Sequence, residues 1–245
     1  FNINLGTPIT TDNCSVVSVT NNAPAVYPTG VTTVTWTVTD ASGNTATSVQ
    51  TVTVKDTVNP TIVAPSMVVV NANALCGATN VALGTPVALD NCTVLSVTNT
   101  APSTFMLGTT TVTWTVTDAS GNTATATQIV KVVDVTLPTI TAPTSLVINS
   151  TSCVATNVVL GAAITADNCS VASVTNNAPS SFPIGTTTIT WTVVDGSGNL
   201  ATATQTVTVI DTVVPTITAP SNVTVNANNG CVAYNVVLGT PVTAD

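Results

Sequence analysis

One pattern recurs three times along this chain and fixes what it can become. It runs Thr111-Val112-Thr113-Trp114-Thr115-Val116-Thr117, then Asp118-Ala119-Ser120-Gly121-Asn122, then Thr123-Ala124-Thr125-Ala126-Thr127-Gln128. Val112, Trp114 and Val116 alternate with threonines, so one face of an extended segment is apolar and the other carries hydroxyls. That is the period of a half-buried β-strand. The Asp-to-Asn stretch supplies side chains that accept backbone hydrogen bonds, together with a glycine free to take positive φ, and so predicts a hairpin loop. The same unit stands at Val34 to Gln50 and at Ile189 to Gln205.

The spacing makes the chain a tandem array. Trp36, Trp114 and Trp191 are separated by 114−36 = 78 and 191−114 = 77 residues, and Cys14, Cys92 and Cys169 give the same intervals. Asp56, Asp134 and Asp211 each stand four residues before a proline and mark the ends of strands. Cutting there gives a partial repeat 1–55, complete repeats 56–133 and 134–210, and a partial repeat 211–245. Units of this length are too long for a solenoid coil and suit a small sandwich with its own core. Within 56–133 the expected strands are 61–63, 67–71, 78–83, 87–89, 94–98, 110–117 and 123–133, with turns at Gly84-Thr85-Pro86, Ala101-Pro102-Ser103 and Leu107-Gly108. The expected fold class is all-β: tandem immunoglobulin-like β-sandwiches forming an elongated, semi-rigid rod. Trp114 belongs in the core, because Val112 and Val116 share its face.

Composition narrows the chemistry. The 245 residues contain no His, and the acids, all Asp, number ten against two lysines, Lys55 and Lys131; the net charge is −8. A histidine-dependent triad, a glutamate-assisted zinc site and a basic groove for phosphate all lack their parts, so neither an enzyme nor a nucleic-acid partner is expected. Val and Thr fit a pleated surface well. Mean hydropathy is +0.51, yet Thr interrupts each apolar stretch well short of the roughly 20 residues a membrane helix needs, so no span is expected.

Cys76 and Cys92, and likewise Cys153 and Cys169, are sixteen residues apart. The spacing predicts one bridge inside each repeat, Cys76–Cys92 and Cys153–Cys169, with Cys14 and Cys231 pairing outside residues 1–245. A bridge closing such a loop stabilises by about 3 kcal/mol in the chain-entropy model, and disulfides imply an oxidising, extracellular setting.

Taken together, Asp56 followed by Pro60-Thr61-Ile62, Cys76 with Asp90-Asn91-Cys92, Leu107-Gly108-Thr109-Thr110 and Thr117-Asp118-Ala119-Ser120-Gly121-Asn122 resemble the HYR (hyalin) repeat, in register along the whole chain. The resemblance implies an immunoglobulin-like fold and a place among extracellular and adhesion proteins. The Thr/Val-rich style further resembles large surface adhesins of gliding Bacteroidetes, of the SprB type. The chain departs from the family where a second cysteine pair is common: Ala64, Ala142 and Ala219 fill one position and Ala126 and Ala203 the other. The family's Phe in the last strand is here Gln50, Gln128 or Gln205, facing inward, where it must find backbone partners.

The function these features predict is a non-catalytic extender segment of a long cell-surface adhesin or filament. The alternative is a glycan- or protein-binding module built from the same repeats. The expected partners are neighbouring repeats, like chains in lateral association, and surface glycans or proteins reached through other regions. Calcium is the one cofactor expected, at the joints: Asp118 should approach Asp56, and Asp195 should approach Asp134, giving two carboxylates toward the six to eight oxygens calcium takes. Asp56-Thr57-Val58 and Asp211-Thr212-Val213 resemble a short bacterial O-glycosylation motif that would place sugars on Thr57 and Thr212.

Overall fold

Alternation of Val with Thr is written directly into the backbone of the computed structural model, which describes residues 3–227 and 230–245. The first repeat contributes β1 (Val16–Asn21), β2 (Gly30–Asp40) and β3 (Thr45–Val54). The second supplies β4 (Thr61–Val63), β5 (Val68–Asn71), β6 (Gly77–Thr79), β7 (Val87–Leu89), β8 (Val94–Asn99), β9 (Thr104–Met106), β10 (Gly108–Asp118) and β11 (Thr123–Val133). The third repeats that order as β12 (Thr139–Thr141), β13 (Leu146–Ser150), β14 (Val154–Thr156), β15 (Ile164–Ala166), β16 (Val171–Asn176), β17 (Ser181–Pro183), β18 (Gly185–Asp195) and β19 (Leu200–Asp211). The last stretch holds β20 (Thr216–Thr218) and β21 (Val242–Ala244). By compactness the chain divides into two units. One gathers the chain up to Val68 with Asn80–Ser103 and Thr109–Lys131; the other gathers Val69–Thr79, Thr104–Gly108 and everything from Val132 on.

The third repeat lies wholly inside the second unit and shows the sandwich clearly. Its main sheet runs β13-β19-β18-β16, with β13 parallel to β19 and the rest antiparallel, and the short ladders β12-β15 and β14-β17 complete the second layer. Ile189, Trp191, Val207 and Val209 from the main sheet meet Ala155 and Phe182 from a short ladder, with Ile140, Leu146 and Ile148 packed around them. The second repeat has the same sheet order, β5-β11-β10-β8, with ladders β4-β7 and β6-β9. The fold is all-β and sandwich-like, as the alternation requires.

Most strand ends fall within two residues of expectation, but one strand is cut short and one was not expected. Asn80 sits at φ 54°, so β6 stops at Thr79 and residues 80–83 leave the ladder. The short β9 pairs with β6 through Phe105, whose side chain is buried; Phe105-Met106-Leu107 is a continuous apolar run without alternation and so gives no period-two signal.

The inward glutamines organise the core. In the third repeat Gln205, 1% exposed, accepts the indole N–H of Trp191 (3.0 Å) through Oε1 and donates through Nε2 to the carbonyls of Thr144 and Leu160, each at 2.9 Å. Gln128 does the same with Trp114, Ser66 and Leu83. In the first repeat Gln50 is only half-buried and holds the Trp36 indole and the Leu5 carbonyl; among the described residues β3 has no parallel neighbour equivalent to β13. Trp36 is correspondingly half-exposed, whereas Trp114 and Trp191 are each 6% exposed.

Removing Gln205 strands one donor and two acceptors, each costing about 1–3 kcal/mol when buried. Gln205→Leu should therefore destabilise the third repeat by about 2–4 kcal/mol in urea unfolding, and Gln50→Leu should cost distinctly less in the same assay.

Candidate functional site

The polar side chains concentrate where one repeat hands over to the next, and nearly all of them begin as turns. Nine of the ten aspartates accept the backbone N–H two residues ahead: Asp12, Asp40, Asp56, Asp90, Asp118, Asp134, Asp167, Asp195 and Asp211. A carboxylate that closes a turn in this way replaces water with fixed donors.

The hairpin loop after β10 shows how a turn becomes a joint. Asp118 is fully buried; its Oδ1 accepts from Ser120 N (2.9 Å) and Asn122 N (2.8 Å), and its Oδ2 accepts from Asn122 Nδ2 (2.7 Å). Gly121 takes φ 91°, a conformation open to glycine at no steric cost. The same Asn122 amide donates to the Asp56 backbone carbonyl at 3.2 Å, pinning the first residue of the repeat to its own hairpin. In the third repeat Asn199 links Asp195 to the Asp134 carbonyl (3.3 Å), and Ser197 Oγ reaches Asp134 Oδ2 at 3.5 Å. Asn122 thus bridges Asp118 to the Asp56 backbone carbonyl, and Asn199 bridges Asp195 to the Asp134 backbone carbonyl.

Asp56, Asp90 and the Cys92 sulfur lie with one ligand atom each within 4.8 Å, as do Asp134, Asp167 and the Cys169 sulfur. Asp56 Oδ2, Asp90 Oδ1 and Asp167 Oδ1 are buried with no hydrogen-bond donor. Nothing local in the sequence sets loop 90–92 against Asp56; that position depends on which pole of the sandwich each loop occupies. The Cys92 thiol is pushed above its ordinary value, chiefly by the adjacent Asp56 carboxylate and then by burial and the neighbouring Asp90 and Asp118.

The cysteine pairing differs from the expectation. Cys76 bonds Cys169, 93 residues on, while Cys92, Cys153, Cys14 and Cys231 are exposed thiols. The reason is visible in the third repeat. The Cys153 carbonyl accepts Ile184 N just before β18 begins, and the Ser170 carbonyl accepts Gly196 N just after β18 ends. Cys153 and Cys169 thus stand at opposite ends of an eleven-residue strand, roughly 35 Å apart at the strand rise; a bridge needs Cα atoms within about 7 Å. Thr57 and Thr212 are exposed, and the Thr212 hydroxyl donates to the Ser150 carbonyl at 3.2 Å.

Turn carboxylates give the fold its pH dependence. Asp40 is held below its ordinary 3.8, first by the Asn44 side chain. Burial pushes Asp195 up, but the Asn199, Ser197 and Gly198 donors outweigh it and the net direction is down. A folded value below the unfolded one means stability fully present above pH 3.8 and lost as pH falls through the folded value. The thermal midpoint should therefore be flat from pH 7 to about 5 and drop below about pH 4, as calorimetry would show.

The chain matches known proteins along its length. The HYR domain model matches residues 2–54, 55–132 and 133–209. Hyalin of Strongylocentrotus purpuratus is 35% identical over 258 residues, covering 97% of this chain and 22% of that protein. Hyalin of Lytechinus variegatus is 32% identical over 257 residues, covering 97% of the chain and 48% of its own length. The chain thus spans less than half of either relative. Among solved structures, mouse cadherin-23 EC22-24 aligns with a TM-score of 0.32 at 14% identity, covering 74% of each chain. Human protocadherin-24 EC1-2 gives 0.34 at 14%, covering 63% of this chain and 99% of that one. With three matches in tandem spanning most of its residues, this chain belongs to the HYR domain family.

Proposed function

We propose that the chain is a non-catalytic extender segment of an extracellular adhesion-type protein, its repeats serving to span distance and hold a direction. The joint carries this reading. Between the second and third repeats there is little slack: β11 ends at Val133 and β12 begins at Thr139. Asp134 is 7% exposed and Pro138 is buried, and Asn199 holds the Asp134 carbonyl. A linker only five residues long, buried at both ends and held there by a hydrogen bond, has little of the freedom of a Gly/Ser tether even though Val135, Thr136 and Leu137 between the ends are exposed. No helix among the described residues is long and apolar enough to cross a membrane. The Thr/Val-rich composition supports the narrower reading as part of a large surface adhesin of gliding bacteria, where like chains would associate side by side.

Small-angle scattering on the 245-residue chain tests the extender role. The expected profile is that of one extended conformer with a maximum dimension insensitive to salt. A broad ensemble resembling domains on a flexible tether would overturn it, and glycan-array binding by the chain would favour the binding-module alternative, for which exposed Tyr234 and half-exposed Trp36 are the available stacking surfaces.

Calcium is a second reading of the same joints, favoured by a donorless oxygen on each of Asp56 and Asp90 and by the carboxylates lying within 4.8 Å of one another. Two carboxylates with nearby carbonyls begin the oxygen set calcium takes. Millimolar calcium should then raise the melting midpoint by several degrees over chelator-treated protein; identical midpoints would end this reading.

A further inference from the structure

The Cys76–Cys169 bond is not a bridge inside a sandwich; it ties the turn between β5 and β6 of one repeat to the loop before β16 of the next. That turn is tightly built. Asn73 N donates to the Gly77 carbonyl (2.7 Å), Cys76 N donates to the Asn73 carbonyl (3.0 Å), and Cys76 takes φ 57°. A Cβ on Gly77 would lie 2.9 Å from the Phe105 carbonyl oxygen, so only glycine fits directly behind the cysteine. Across the joint, Asn168 Nδ2 donates to the Asn73 carbonyl at 3.2 Å and also faces its own Cys169 sulfur. Asp167 Oδ2 accepts the N–H groups of Cys169 (2.7 Å) and Ser170 (3.0 Å), which fixes the sulfur's direction.

The receiving loop has the same form whether or not its sulfur is bonded. Asp90 Oδ2 accepts Cys92 N (2.8 Å) and Thr93 N (2.9 Å), and Asn91 Nδ2 faces the Cys92 sulfur. Asp12 Oδ2 accepts Cys14 N and Ser15 N in the first repeat. The offering side recurs too. The Cys76 and Cys153 carbonyls accept the N–H groups of Leu107 and Ile184, both at 3.3 Å, and Cys231 repeats the positive φ of Cys76, at 62°.

We propose that the cysteines form a directional clasp repeated once per joint: Cys76, Cys153 and Cys231 are offering residues, and Cys14, Cys92 and Cys169 are receiving residues, each loop taking the sulfur of the repeat before it. The bond forms by exchange with a small-molecule disulfide such as oxidised glutathione. One thiolate attacks it and releases one thiol, and the second thiolate then attacks the mixed disulfide and releases the other. Two protein thiols are oxidised as one small disulfide is reduced to two thiols. Within one repeat the two kinds of cysteine sit at opposite ends of the long strand and cannot meet.

The test is thiol counting and non-reducing peptide mapping of the full 245-residue chain, refolded at low concentration in a glutathione redox mixture. The expected result is a peptide joining Cys76 to Cys169 and four free thiols of six. Cys76→Ser should leave all five remaining thiols free, because Cys169 has no partner within its own repeat. Any chain-to-chain bond should join an offering to a receiving cysteine. Two free thiols in the unsubstituted chain, three in Cys76→Ser, six in the oxidised chain, or a bond between two cysteines of one kind would each overturn the proposal. Peptide mapping of the unsubstituted chain decides the pairing even if the variant folds poorly.

Discussion

A single side-chain amide holds each sandwich of this chain together. Gln205 reaches from β19 to the indole of Trp191 on β18 and, on its other side, to two carbonyls in segments that precede β13 and follow β14. Hydrophobic burial of Ile189, Val207 and Val209 brings the layers together without saying which backbone carbonyl lies where. The amide says so. Its donors and acceptor are all used, in an environment where an unused one is costly. A small domain with almost no charge thereby gains one defined packing of its two layers.

The same economy governs the acids. With ten aspartates and two lysines the chain has a net charge of −8, a balance that in another protein would suggest steering or counterion binding. Here nine of the ten close turns on their own backbone. Asp118 and Asp195, buried at the hairpin tips, carry this furthest, because their asparagine partners extend the turn to the first carbonyl of the repeat. Hairpin and linker are one hydrogen-bonded piece, and the polar surface near the joint follows from turn chemistry.

Much of this was legible in the residues. Alternation placed Val112, Trp114 and Val116 inward, Asp-to-Asn signalled the hairpin, and an inward Gln demanded backbone partners. These are local rules, set by periods of two and by turn geometry. What escaped was whatever depends on the two poles of the sandwich. A sixteen-residue spacing between Cys153 and Cys169 invites a bridge, and nothing nearby in the chain announces that a strand contributed much later, β18, runs the full distance between them. The further acid beside Asp134 escaped for the same reason: Asp167 arrives from a loop whose pole the spacing does not reveal. β9 escaped because Phe105-Met106-Leu107 is a short apolar run without alternation.

The clasp joins Cys76 to Cys169, and the next offering cysteine, Cys153, lies inside the loop so closed, sixteen residues before its end. Loops drawn this way overlap like links of mail. A protease that nicks the backbone anywhere between Cys76 and Cys169 leaves both pieces attached through sulfur. Where one clasp follows another, every residue lies within at least one closed ring, so the strand survives any single cut. Tension likewise crosses the joint through the sulfurs, and the 92 residues between them carry none of it. Durability would then reside in the connectivity of the chain more than in the stability of any one repeat.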